Sequence, residues 1–265
     1  MNLKASAPTT EDKRQYHLHT EKGDIAPFCL LVGDPDRATL IAKKFFSSAE
    51  LVGDHRGLKS YTGRFRELPV SVVTTGMGSP SLCIVVPEAY DCGARLFIRV
   101  GTCGSLIERS NLGDMIIVKN ALRLEGTSFN YAPREFPSVA HPLVTAELIA
   151  AAEKLYPTRY FTGMEATTDC FREGQGRPNT EDVFTDRARR VNEYVLGKGA
   201  VCYSMEASAL FVWCATHFGG VPCGAINAVI GNRIIDIWGV KGEEEASLVA
   251  LEALCGLKDK IQLPI

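Results

Sequence analysis

Gln175 and Arg177, separated by one glycine in Phe171-Arg172-Glu173-Gly174-Gln175-Gly176-Arg177, carry defined recognition chemistry. A glutamine side chain offers one acceptor oxygen and two donor hydrogens. A pyrimidine base presents carbonyl, N–H and carbonyl along one edge. Gln plus Arg match that edge, and the guanidinium can hold negative charge building on a carbonyl oxygen. Alone, a polar loop after an apolar strand is more often a solvated loop. This pair gains weight from three segments that read as anion sites and from one carboxylate on an apolar helix.

The first anion segment is Leu31-Val32-Gly33-Asp34-Pro35-Asp36-Arg37, a buried strand that ends in Gly where a helix begins. Free N–H groups at a helix start attract anions. Arg37 sits in the first turn, where a cation opposes the helix dipole, so it expects an anionic ligand or a pairing with Asp34 or Asp36. The second, Thr74-Thr75-Gly76-Met77-Gly78-Ser79-Pro80-Ser81, repeats the strand–Gly–helix pattern. It lacks the third glycine of a dinucleotide fingerprint. Its glycines either make a tight turn or let backbone N–H groups approach a ligand. In the third, Ile98-Arg99-Val100-Gly101-Thr102-Cys103-Gly104-Ser105, Arg99 interrupts an apolar strand and a Gly-rich turn carrying Thr102 is expected to follow. A buried Arg needs a partner. Ligands in open α/β sheets collect at strand carboxyl ends, which favours an anion over a structural ion pair.

Met205-Glu206-Ala207-Ser208-Ala209-Leu210-Phe211-Val212-Trp213-Cys214-Ala215 is apolar almost all round, with Glu206 its only charge. Such a helix is buried. A buried carboxylate must be hydrogen-bonded, paired or neutral. Glu206 either bonds N–H groups at the helix start or accepts from two neighbouring hydroxyls, as a ribose diol presents them.

These residues need a scaffold, and hydropathy patterning supplies one. Strands are expected over Phe28–Gly33, Val70–Thr75, Leu96–Val100, Met115–Lys119, Tyr160–Thr168 and Cys223–Ile230, with Ser60–Phe65 pairing to Val70–Thr75 through a turn around Glu67-Leu68-Pro69. Helices are expected over Pro35–Phe46, Ser79–Cys92, Pro142–Tyr156, Thr180–Asn192, Met205–Phe218 and Glu243–Cys255. Asp34 before Pro35 is a good N-cap, and three Glu residues open the last helix with the favourable sign. Alternating strands and helices imply an α/β domain with a sheet covered on both faces. Residues 1–14 read as a loose polar tail and 15–265 as one domain.

The 265 residues are 46% apolar, which argues against disorder, and the net charge of −2 argues against nucleic-acid binding driven by a bulk positive field. Nine cysteines, mostly in apolar runs and without a CxxC pair, fit reduced thiols in the cytoplasm. The polar start predicts no signal peptide, and no apolar run approaches the ~18–20 residues that span a bilayer.

Together the quoted motifs resemble the uridine phosphorylases, within the nucleoside phosphorylases that share one α/β fold. The resemblance runs from about His17 to the C-terminal helix. It implies a single domain with a central mixed, partly barrel-like β-sheet flanked by helices. It implies a phosphate site of Gly33, Arg37, Arg99 and Thr102, completed by Arg56 from a neighbouring subunit. His17 looks like the histidine that caps the ribose 5′-hydroxyl, also across the interface. Met205 and Glu206 look like ribose contacts, Phe171, Gln175 and Arg177 like the base pocket, and Arg233 like a further base-side residue on a mobile loop. Arg177, Gln175, Arg99 and Glu206 would carry the catalysis.

The related purine enzymes place an Asp where Asn232 stands, and Asn cannot serve as a general acid. The implied reaction is phosphorolysis of uridine, with deoxyuridine a second candidate. It needs no cofactor beyond phosphate as co-substrate, and its minimal unit is a homodimer within assemblies up to a hexamer. Gly57 replaces the Glu that binds a monovalent cation in some bacterial members, so no metal is carried over; Gly231 replaces a bulkier apolar residue, which would widen the base pocket. The rival readings are a purine nucleoside phosphorylase or a nucleosidase on this fold, a catalytically silent nucleoside-binding protein, and a dinucleotide-dependent oxidoreductase.

Overall fold

The computed structural model describes residues 4–264. Residues 1–3 of the expected tail, and residue 265, lie outside the described residues. Among the described residues ten strands form one mixed sheet: β1 (Phe28–Val32), β2 (Ser47–His55), β3 (Leu58–Phe65), β4 (Leu68–Thr74), β5 (Leu96–Ser105), β6 (Met115–Leu124), β7 (Tyr160–Thr168), β8 (Ala200–Ser204), β9 (Cys223–Asn232) and β10 (Ile237–Trp238). Their order is β10-β9-β6-β7-β8-β5-β1-β4-β3-β2, and β5 also pairs with β9. That extra pairing closes β5, β9, β6, β7 and β8 into a ring, so half of the sheet is a barrel and the other half opens as a meander. Parallel ladders join β1 to β4 and β5, β5 to β9, and β7 to β6 and β8, while β2–β3–β4 run antiparallel.

Six helices cover the sheet among the described residues: α1 (Pro35–Phe45), α2 (Ser79–Asp91), α3 (Pro142–Leu155), α4 (Asp186–Gly197), α5 (Ala207–Thr216) and α6 (Glu243–Leu257). Side chains alternate across a strand, and β1 shows the consequence. Phe28, Leu30 and Val32 join a core with α1, α3 and α6, whereas Cys29 and Leu31 join a second core with α2 and α5. The unbroken burial of β1 follows from this two-sided cover.

Local chemistry sets several boundaries as read. Asp34 caps α1 by accepting from the Asp36 N–H at 2.9 Å. The expected helix over Thr180–Asn192 instead begins at Asp186. Asn179 Oδ1 holds the Glu181 and Val183 N–H groups at 3.0 and 2.9 Å, and Thr185 then caps the helix through Ala188 N. The expected Gly-rich turn after Arg99 is absent: β5 runs through Gly101 and Gly104 to Ser105, paired with β9 along this stretch and with β8 at Gly104 and Ser105. Strands β2, β8 and β10 had no counterpart among the sequence expectations. The β2 edge is mostly exposed and irregular in register, β8 is short, and β10 has two residues. The hairpin between β3 and β4 turns at Arg66-Glu67, and Pro69 lies inside β4 opposite Arg64. No helix among the described residues is long and apolar enough to cross a membrane.

Candidate active site

The carboxyl ends of β1 and β5, the loop after β4, the loop after β7 and the start of α5 surround one cavity of about 490 Å³. It brings together Gly33, Arg37, Arg99, Thr102, Phe171, Gln175, Arg177, Met205 and Glu206 from the sequence reading. His17, Arg56 and Arg233 lie outside its lining.

Arg99 and Glu206 are both buried and form an ion pair. Glu206 Oε1 also accepts from the Gly78 N–H at 2.8 Å, and Oε2 from the Met205 N–H at 3.2 Å. The glycine turn before α2 therefore binds a carboxylate of its own chain, and Glu206 takes the N-cap position of α5 without capping it. Arg37 pairs with Glu243 in the first turn of α6, its Nε at 3.1 Å, and donates to the Val100 carbonyl at 3.3 Å. Its partner is thus neither Asp34 nor Asp36.

Gly101 explains how Arg99 fits. The two residues share a sheet face, and the guanidinium lies forward along the strand beneath Gly101. A Cβ built on Gly101 would fall inside that guanidinium and 2.5 Å from Asn227 Oδ1. Arg99 Nη1 donates to Asn227 Oδ1 at 2.6 Å. Three residues further along β5, Gly104 has Arg177 Nη2 3.5 Å from where its Cβ would stand. Both guanidiniums line the same cavity.

The loop after β7 is braced from behind. Arg233 donates to the Gln175 and Gly176 carbonyls at 2.9 and 3.1 Å, and Asn192 Nδ2 to the Gly176 carbonyl at 2.9 Å. The structure thus places Arg233 on the backbone of the loop after β7. Arg177 bonds the Gln175 side-chain oxygen and the Phe171 carbonyl, and lies 4.1 Å from the Phe171 ring centre. Burial, with help from the nearby Arg233 charge, pushes the Arg177 guanidinium down to about 10. It stays a cation at neutral pH, and its charge is incompletely compensated.

His17 and Arg56 sit together elsewhere. His17 Nδ1 lies 2.6 Å from Glu88, which also accepts the His17 and Leu18 N–H groups. Exposed Arg56, at a positive φ of 54° in the β2–β3 turn, lies over Tyr16, and His55 contacts the His17 carbonyl at 3.3 Å.

Sequence reading missed Trp238, Glu243, Glu88 and the buried Asn227 and Glu165. Trp238 pairs with Gly231 across β10 and β9, and its ring lies 3.4 Å from where a Gly231 Cβ would stand. The space left by the missing side chain is thus filled by an indole that is 65% exposed and lines the cavity, so Gly231 does not simply widen it. Asn227 is uncharged, and Glu165 lies within the expected strand Tyr160–Thr168 among threonines and a glycine, a run polar enough that its charge did not stand out. Asn232, in contrast, is fully occupied away from the cavity, donating to the Ile107 and Ser110 carbonyls at 2.9 and 2.8 Å.

Residues 27–253 match the model of the phosphorylase superfamily. A uridine phosphorylase of Thermococcus kodakarensis is 40% identical over 252 residues, covering 95% of this chain and 90% of its own. The uridine phosphorylase of Escherichia coli is 34% identical over 82% of this chain and 86% of its own, and a guanosine phosphorylase of Halorubrum lacusprofundi 31% over 83% and 85%. A match that spans every strand of this half-barrel sheet places the chain in the phosphorylase superfamily.

Proposed function

We propose that this chain cleaves uridine with inorganic phosphate, giving uracil and ribose 1-phosphate. The observation that carries the reading is the layout along β5: Arg99 beneath Gly101 beside Glu206, and Arg177 with Gln175 beside Gly104, all on one cavity. Phosphate would sit with Gly33, Arg37, Arg99 and Thr102. The ribose diol would meet Glu206 beside Met205, and the base would meet Phe171, Gln175 and Arg177.

In the reaction a phosphate oxygen attacks the anomeric carbon while the bond to the base nitrogen breaks. The sugar gains oxocarbenium character, and the departing electron pair spreads over the uracil carbonyls. Arg177 and Gln175 hold that charge, and the bound phosphate faces the developing cation, which removes much of the entropic barrier to attack. Phosphate is a co-substrate, and the scheme requires no cofactor. The cluster of His17, Glu88 and Arg56 would serve a neighbouring copy's cavity, making a homodimer the minimal unit.

A purine substrate is the second reading, since one relative is named for guanosine. Asn232 speaks against it, because its amide is neither acidic nor free and it does not line the cavity. The test is uracil release from uridine followed by ultraviolet absorbance, with phosphate as the variable and inosine as the competitor. Release that needs phosphate and favours uridine is the expected result. Release without phosphate would make the protein a nucleosidase, and preference for inosine would overturn the base assignment.

A further inference from the structure

Glu165 on β7 is fully buried and has no place in the chemistry above. Its Oε2 accepts from Asn227 Nδ2 at 2.9 Å, and Asn227 Oδ1 accepts from Arg99 Nη1 at 2.6 Å. A guanidinium only donates, so the Asn227 oxygen must face Arg99 and its NH₂ must face Glu165. Glu165 therefore fixes which way the amide points. Its other oxygen is fastened by Thr167 Oγ1 at 2.7 Å and the Ala207 N–H at 3.3 Å, which ties it to the first turn of α5, next to Glu206. Gly101, opposite Asn227 in the ladder, leaves the slot in which Arg99 lies.

We propose that Glu165 and Asn227 are positioning residues that set the Arg99 guanidinium for phosphate. One Nη1 hydrogen is held by Asn227 and one Nη2 hydrogen by Glu206, which leaves three of the five Arg99 donors to aim into the cavity. Without the Asn227 contact, Arg99 can rotate about its pair with Glu206 and the aim is lost. The inference rests on the reading of Arg99 as a phosphate ligand.

Calorimetric titration of the whole protein with inorganic phosphate reads the effect directly. Glu165→Leu and Asn227→Leu each weaken phosphate about tenfold or more, the scale of one charge-assisted hydrogen bond. Uridine binding without phosphate shifts by less than about threefold, because Glu206 keeps its Gly78 contact. The double variant is no worse than either single one, since both act through the same chain of contacts. Glu165→Gln restores most of the loss, because its amide oxygen accepts from Asn227. Should Glu165→Leu fail to fold, Asn227→Ala carries the same readout. Unchanged phosphate affinity in a folded variant, additive losses, or equal losses for phosphate and uridine would overturn the inference, as would wild-type protein that binds no phosphate. Wild-type protein that binds phosphate yet releases no uracil would instead overturn the proposed reaction alone.

Discussion

Gly101→Ala is the sharpest perturbation the geometry offers. Neither Gly101 nor Gly104 has a positive φ, so alanine is conformationally acceptable at both. The space around them differs. At Gly101 a Cβ would occupy the position of the Arg99 guanidinium, which is itself buried between Asn227 and Glu206. Arg99 must leave, and Glu206 is left as a buried carboxylate without its cation. Breaking a buried pair from one side costs about 3–5 kcal/mol. For a chain of this size that is a Tm drop of about 10 °C. Phosphate loses a desolvated cation, worth about 2–5 kcal/mol, so its affinity falls at least about 30-fold. At Gly104 the neighbours are the Arg233 Cγ at 3.2 Å and the Arg177 Nη2 at 3.5 Å, both on flexible side chains that can yield. Gly104→Ala therefore costs about 1 kcal/mol or less and spares phosphate, while disturbing the base side through Arg177. Thermal unfolding and phosphate titration of the two variants decide the matter. A Gly101→Ala protein with wild-type Tm and phosphate affinity would refute the seating of Arg99 described here.

Arg177→Ala is expected to lower kcat by about 10²–10³, the usual loss for removing one charge-stabilising donor, with the phosphate KM unchanged; steady-state kinetics with uridine checks this. The chain has two tryptophans, Trp213 in the core and Trp238 on the cavity wall, so uridine should quench emission, and the quench should vanish in Trp238→Phe, as fluorescence titration would show. Burial, aided by the Glu206 charge, raises the Glu165 carboxyl above its ordinary value of 4.5, so the native state binds more protons than the unfolded one just above that pH. Wild-type stability should fall as pH rises from there relative to Glu165→Gln, and Tm measured against pH in both proteins tests the sign. Mixing Arg56→Ala with Glu206→Ala should recover activity in mixed oligomers if Arg56 acts across an interface, and no recovery after demonstrated subunit exchange would count against it.

Much of the scaffold was legible because it rests on short-range rules. Strands buried on both faces read as near-continuous apolar runs, and β1 through Val32 and β9 appear close to where hydropathy puts them. Helices with strong local starts, such as α1 behind Asp34, begin as expected, while α4 slipped because Asn179 and Thr185 offered better local hydrogen bonds than the periodic pattern implied. Strands β2, β8 and β10 were illegible because their sequences gain strand form only from neighbours they pair with.

For the site, residue types alone marked Arg99 and Glu206, since a charge inside an apolar run demands a partner whatever the fold, while Arg56 and Arg233 were named only through the family resemblance. Which partner each one found was decided only by tertiary structure. Arg37 met Glu243, Arg99 met both Glu206 and Asn227, and Arg233 turned to the backbone of the loop after β7, over separations in the chain that no local pattern spans. Gly101 shows the division most clearly. Its sequence context suggests a turn, yet pairing with Asn227 on β9 holds it in a strand, and its lack of a side chain serves the arginine two residues earlier. Alternation places the two on one face, but only the packed neighbour on β9 makes that face a slot.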